Sequence, residues 1–271
     1  MKLYTFLILL AVFSTITGCN QFKSDHPQAE INDQYTTDLT ANSILHYADS
    51  INKNLNSYTK AISLVYMLGD LSFYVEKYTS FDKPVLLVEH AYNGGVSNSL
   101  KKYYFRNDSL ILEEVKNQLA NDDGSIFKDS RTYLRSNTVF KVENRTASAG
   151  GEIKSLPFLD VPLSANKTTD KTLLDNVKTL NDVINRVDRF DVVFESITTF
   201  PDSRYIVLRS KIQNSYTASI LVQEKDAFID SLLNDPMIFK DEKLNFNWTI
   251  KDKEAVYVPV ANNTSASGLK R

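Results

Sequence analysis

Tyr104-Phe105-Arg106-Asn107-Asp108-Ser109-Leu110-Ile111 and Tyr133-Leu134-Arg135-Ser136-Asn137-Thr138-Val139-Phe140 align without a gap. Each reads as two short strands around a polar turn. A two-residue turn at Asn107-Asp108 predicts that Phe105 faces Leu110, Tyr104 faces Ile111, Tyr103 faces Leu112 and Lys102 faces Glu113. In that register Phe105, Leu110, Tyr103 and Leu112 share a buried face, and Lys102 and Glu113 meet on the other side. Two copies are a repeated hairpin, too few for a solenoid.

The same pattern extends in both directions. Runs rich in β-branched and aromatic residues occupy Ala61 to Leu68, Leu71 to Tyr78, Val85 to Tyr92, Lys101 to Phe105, Leu110 to Val115, Arg131 to Leu134 and Val139 to Val142. Turn signals separate them at Gly69-Asp70, Asp82-Lys83-Pro84, Asn93-Gly94-Gly95, Asn107-Asp108, Asp122-Asp123-Gly124 and Ser136-Asn137. Connections this short make neighbouring strands antiparallel, so the expectation is a meander. A helix precedes it, with Thr40 or Asn42 as cap and Ile44, Ala48, Ile51, Leu55 and Tyr58 at three- and four-residue steps.

Beyond Thr146 the periodicity stops. Residues 148–170 hold Gly150-Gly151 and two prolines and read as a linker, within which Leu156 to Leu163 is an apolar strip. That strip either packs across the two halves or docks a partner. A second helix is expected from near Asp170, with Leu173, Val177, Leu180, Ile184 and Val187 on one stripe. Strands follow near Val192 to Phe200, Tyr205 to Lys211 and Tyr216 to Gln223, then a short helix from Asp226 to Asn234, and strands at Leu244 to Lys251 and Ala255 to Val260. In the first of that last pair, alternation places Trp248 on the apolar side.

Composition fits this reading. Among 271 residues there are 14 Tyr and 15 Phe but 8 Gly, which favours strands and polar turns over a glycine-rich phosphate cradle. A net charge of -2 removes the usual case for a nucleic-acid partner. Catalytic patterns are absent from the sequence: there is no G-x-S-x-G, no H-E-x-x-H, no P-loop and no clustered Cys/His spacing. The histidines stand at His26, His46 and His90, and neighbouring Glu89 and His90 point to opposite faces of a strand. No cofactor, metal or catalytic residue is therefore assigned.

One pattern on the sheet could form a site. Lys102, Tyr104 and Arg106 alternate on one face, and Arg131, Tyr133 and Arg135 repeat the arrangement. If the hairpins are neighbours, these residues form a basic, aromatic platform for an anionic sugar, a lipid headgroup or an acidic protein. The same alternation also describes the solvated face of an ordinary antiparallel sheet.

At the N-terminus, Lys2 precedes an apolar stretch from Leu3 to Ile16, closed by Thr17-Gly18-Cys19. Cys19 is the sole cysteine. This resembles the lipobox of bacterial lipoproteins, which implies cleavage before Cys19 and lipid on its sulfur and amino group. The stretch is short and interrupted for a transmembrane span, which needs about 20 apolar residues. The hairpin Tyr103 to Ile111 is similar to those of uncharacterised bacterial lipoproteins built from a helix and a β-meander, a likeness that carries no activity.

The expected organisation is a signal peptide over 1–18, a lipidated tether over 19–39, a helix and meander over 40–147, a linker over 148–170, an α+β unit over 171–260 and a frayed tail over 261–271. The expected class is α+β: a helix on an antiparallel meander, then a second helix with a smaller antiparallel unit. The expected protein is non-enzymatic and lipid-anchored in the cell envelope, on a periplasmic or outer-membrane face. It would present a sheet face to a partner protein or to a surface glycan or lipid. A carrier for lipid or acylated protein, and a hydrolase with an unfamiliar carboxylate site, are the alternatives.

Overall fold

The hairpin register is set by a bulge that recurs three times. The computed structural model describes residues 39–122, 124–163 and 171–260. The signal peptide, Cys19, the tether up to residue 38, the end of the linker at 164–170 and the tail at 261–271 lie outside the described residues. Strands β3 (Leu71–Ser80), β4 (Lys83–Asn93), β5 (Ser97–Arg106), β6 (Ser109–Asn121), β7 (Gly124–Arg135) and β8 (Thr138–Ala147) follow one another in both chain order and sheet order. Phe105 pairs with Leu110 as expected, but Tyr104 pairs with Leu112, Tyr103 with Glu113 and Lys102 with Glu114. The expected pairings of Tyr104, Tyr103 and Lys102 are thus shifted by one residue. Ile111 is the extra residue of a β-bulge, which a plain two-residue hairpin does not contain.

The second copy has the same bulge, with Leu134 against Val139 and Tyr133 against Lys141, so that Phe140 is extra. A third copy stands at Tyr78 to Val85, where Thr79 faces Pro84 and Tyr78 faces Leu86. All three turns have two central residues at positive φ: Phe81-Asp82, Asn107-Asp108 and Ser136-Asn137. This is the geometry that matches the twist of paired strands. The first turn therefore lies one residue earlier than the expected Asp82-Lys83-Pro84.

Helix α1 (Ala41–Lys53) starts where Thr40 accepts a hydrogen bond from the Ser43 amide at 3.2 Å, and it buries Ile44, Ala48 and Ile51. It ends at Lys53, so Leu55 and Tyr58, expected on its stripe, fall beyond it. Its Tyr47 hydroxyl donates to the Phe105 carbonyl at 2.9 Å, placing the helix over β5.

The single strand expected over Ala61 to Leu68 is two: β1 (Thr59–Ile62) and β2 (Tyr66–Leu68), both on the same side of β3. Leu64 and Val65 bulge between them and are buried. Ser63 holds the break, its hydroxyl accepting from the Val75 amide at 2.9 Å and donating to the Leu64 carbonyl at 2.7 Å.

From β2 the sheet continues into the second half of the chain. Tyr66 pairs with Ala218 and Met67 with Thr217 on β12 (Thr217–Leu221), which runs beside β11 (Arg204–Ser210) and then β10 (Val192–Thr199). Strand β14 (Glu254–Val258) lies parallel to β12 and pairs with β13 (Asn247–Lys251). Parallel neighbours need a crossover, and α3 (Ala227–Asn234) lies on that connection, capped by Asp226. The stretches 40–147 and 171–260 thus contribute to one sheet, and from Thr40 the chain forms one compact unit. The class is α+β with a mostly antiparallel sheet.

Helix α2 (Lys171–Asn185) buries Leu173, Leu180 and Val183 and meets β3, where Lys77 Nζ donates to Asn181 Oδ1 at 2.9 Å. Val187, expected on its stripe, lies past its end and is exposed. Trp248 is half-buried and donates from Nε1 to the Ser63 carbonyl at 3.0 Å. The linker adds a short edge strand, β9 (Leu159–Asp160), to β8.

Phe81 is 99% exposed at φ 48°, a region that costs an L-residue with a bulky side chain. Replacing it with Asn removes that strain without loss of packing. Phe81→Asn is expected to raise stability by about 1 kcal/mol, read as a higher urea midpoint at unchanged slope.

Candidate functional site

Cross-strand register sorts one face of the meander into rows. Tyr78, Leu86, Tyr104, Leu112, Tyr133 and Lys141 lie side by side, and the adjacent row runs Glu76, Val88, Lys102, Glu114, Arg131 and Glu143. The expected platform residues are therefore brought to one region. Their environment is not the open basic surface expected.

Tyr104 and Tyr133 are fully buried. The Tyr104 hydroxyl donates to Glu114 Oε2 at 3.0 Å and accepts from Asn52 Nδ2 of α1 at 3.0 Å. Lys102 donates to Asn52 Oδ1 at 2.8 Å. Burial pulls the Lys102 ammonium below its ordinary range; Glu114 opposes that shift and nearby Lys116 adds to it. Arg131 bridges two carboxylates, Glu114 at 3.1 Å and Glu143 at 3.4 Å. Tyr133 donates to Glu143 at 2.6 Å, and Lys141 pairs with the same carboxylate at 2.8 Å. Glu143 is buried, which alone would raise its pKa, yet Lys141, Tyr133 and Arg131 together bring it below its ordinary value. Arg106 and Arg135 remain exposed at the hairpin tips, Arg106 within 5.8 Å of the Tyr47 ring and Arg135 4.1 Å over Phe140.

Glu114 and Glu143, absent from the sequence-derived site, thus neutralise it. No local pattern in the sequence marks them, because it is the bulge, a one-residue shift seen only in the structure, that sets Glu114 rather than Glu113 opposite Lys102. Each tyrosine that opens a repeat donates to a glutamate: Tyr78 to Glu76 at 2.9 Å, Tyr104 to Glu114 and Tyr133 to Glu143. The result is a ladder of charge-assisted hydrogen bonds, buried at Glu143 and partly buried at Glu76 and Glu114, a structural use of the pattern.

Further along the same face the sheet is open. Here the rows are Tyr74, His90, Leu100, Lys116, Asp129 and Arg145, then Ser72, Tyr92, Asn98, Gln118, Phe127 and Ala147. All of these but Tyr74, Ser72 and Ala147 line a cleft of about 380 Å³ whose rim includes Ile153 and Lys154. This volume is near the lower end for small-molecule sites. Arg145 holds that rim: it donates to Asp129 Oδ2 from Nε and Nη2 at 2.9 and 2.7 Å, and to the carbonyls of Lys154 and Leu156 at 3.3 and 3.2 Å. The linker's Phe158 lies between two guanidinium groups, Arg131 at 4.0 Å and Arg145 at 4.4 Å. Gly150 packs on Phe127 so closely that an added Cβ would come within 3.0 Å of the ring.

The linker thus reaches the site's wall through Ile153 and Lys154, while Leu156, Leu159 and Leu163 of its apolar strip stay exposed. On the floor, His90 stacks on Tyr74 at 4.4 Å with its Nε2 buried and 3.9 Å from Glu76 Oε2, beyond hydrogen-bond length. Among the described residues no group of three or more His, Cys, Asp or Glu is placed to hold a metal.

Glu76 yields a pH prediction. Burial opposes its charge, but His90, the Lys60 ammonium and the Tyr78 hydroxyl outweigh it and hold the carboxyl at about 2 against an ordinary 4.5. A carboxylate lowered on folding contributes stability above its unfolded value and loses it as pH falls through the folded one. Glu76→Gln is therefore expected to flatten the loss of stability between about pH 4.5 and 2. At pH 7 it should cost roughly 1 to 3 kcal/mol, with both effects read from urea unfolding across the pH series. No family model, curated protein or solved structure matches the chain.

Proposed function

We propose that this protein is a lipid-anchored, non-enzymatic component of the cell envelope that presents one face of its sheet to a partner protein or a surface component. The observation that carries the reading is the open cleft on the meander, a concave surface beside the ladder that α1 meets at β5. Its architecture, in this reading, is a helix laid on an antiparallel meander, followed by a second helix and a smaller antiparallel unit that buttresses it. Lipid on Cys19 supplies attachment, with about 20 residues of sequence between it and α1. Tethering raises the concentration of the cleft near an envelope target without any new contact.

A lipid carrier would want an apolar cavity beneath the first helix. That space is filled by Ile44, Ile51 and Tyr104, each almost without exposure, so support falls on surface binding.

Two measurements test the proposal. Wild-type protein should sediment with membranes and incorporate an alkyne-labelled fatty acid, whereas Cys19→Ala should do neither; unlabelled wild type would remove the anchor. A photo-crosslinking residue at Lys116, in the cleft, should capture an envelope component that the same residue at Lys178, exposed on α2, does not. Equal capture at both positions would remove the cleft from the reading.

A further inference from the structure

The cleft is open, but its lining is chemically selective. Three cations border it, Lys116, Arg145 and Lys154, against one carboxylate, Asp129. Arg145 is already committed to Asp129 and to two carbonyls of the rim. Neither Lys116 nor Lys154 pairs with an acidic side chain among the described residues, and both are exposed at the cleft. A pair of uncompensated ammonium groups at a concave site attracts an anion, since walls of low dielectric focus their field.

The remaining lining narrows the class of anion. Phe127 is a half-buried aromatic ring at the cleft, and Leu100 and Ile153 are apolar. Asn98 and Gln118 each bring an amide that can both donate to and accept from a hydroxyl. Aromatic surface with amides matches a ring that has apolar C–H patches and many hydroxyls. Lysines can also meet phosphate as point charges, but a phosphate would find no free guanidinium fork here, since Arg145 is saturated. Two lysines act as point charges, sufficient for a single carboxylate. Lys253 sits 4.2 Å over the Tyr92 ring at the same end and adds positive charge nearby.

We propose that this cleft binds a carboxylate-bearing sugar, one or two rings long, whether free or as part of a polysaccharide. Its carboxylate pairs with Lys116 and Lys154, its ring lies against Phe127, and its hydroxyls meet Asn98 and Gln118. This identification rests on the binding-module reading above and names the ligand class of the same site.

Isothermal titration of the full-length chain in detergent micelles with digalacturonic acid tests it, with maltose as the neutral disaccharide and inorganic phosphate as the competing anion. Digalacturonate is expected to bind, more weakly as salt rises, while maltose and phosphate do not. Lys116→Gln and Lys154→Gln should each weaken binding by about tenfold or more, the scale of one hydrogen bond to a charged group. Both side chains are exposed, so the fold should survive, and an unchanged far-ultraviolet dichroism spectrum checks it. Absence of digalacturonate binding, equal binding of maltose, tighter binding of phosphate, or full affinity in both lysine variants would each overturn the proposal. Continued specific capture by the Lys116 crosslinker in any of those cases would leave the binding module standing with a different ligand; loss of both would remove the two readings together.

Discussion

Two residue pairs, Tyr66 with Ala218 and Met67 with Thr217, carry the sheet from one half of the chain into the other. Everything else in the architecture depends on that joint. It exists because Leu64 and Val65 bulge out of line after β1 and set β2 on a different course, where its free edge meets β12. The junction is sealed by aromatic rings: Tyr66, Phe73, Phe190 and Tyr216 lie within 4.8 to 6.3 Å of one another. The Tyr66 hydroxyl donates to the Phe190 carbonyl at 3.0 Å, so its polar atom is not left unpaired in the core. Large rings supply the apolar burial that two short pairings could not provide alone.

The meander puts one face to two uses. In the ladder, which α1 meets at Phe105, Tyr104 and Lys102, alternating tyrosine and charge are folded inward, and their cost is offset by short hydrogen bonds from tyrosine to glutamate and from lysine or arginine to the same carboxylates. Ion pairs of this kind are costly to break on one side, since the surviving charge is left buried. Where α1 ends, the strands run on uncovered, and the face becomes a cleft with Ile153 and Lys154 of the linker on its rim. Arg145 connects the two regimes: its bonds to Asp129 and to the rim carbonyls keep the wall in place, while its ring contact with Phe158 anchors the linker beside the ladder.

Strand and helix identities were largely legible because each rests on local periodicity. Ile44, Ala48 and Ile51 lie on one helical face, and the caps Thr40 and Asp226 stand where short polar side chains precede helical runs. The polar halves of β6 and β7, from Lys116 to Asn121 and from Ser125 to Ser130, escaped notice because a strand that floors an open cleft has no apolar alternation to display. The third repeat at Tyr78 to Val85 was hidden for a related reason. It keeps the tyrosine, the turn and the bulge but shares little side-chain identity with the other two, and Phe81 stands where a turn would ordinarily take Asn or Gly.

The candidate site divides along the same line. Lys102, Tyr104, Arg131 and Tyr133 were recognised as sharing a face, a consequence of period-two alternation within each strand. Their partners Glu114 and Glu143, and the cleft beside them, depend on how strands are offset against one another. A few adjacent residues sufficed to place the three helices among the described residues and most of the strands and turns, though not all of their ends. The register, the joining of the two halves and the difference between a paired ladder and an open cleft arise only in the folded chain. A bulge of one residue exchanges every cross-strand partner after it, and that displacement is set by packing across the whole sheet rather than by any local pattern.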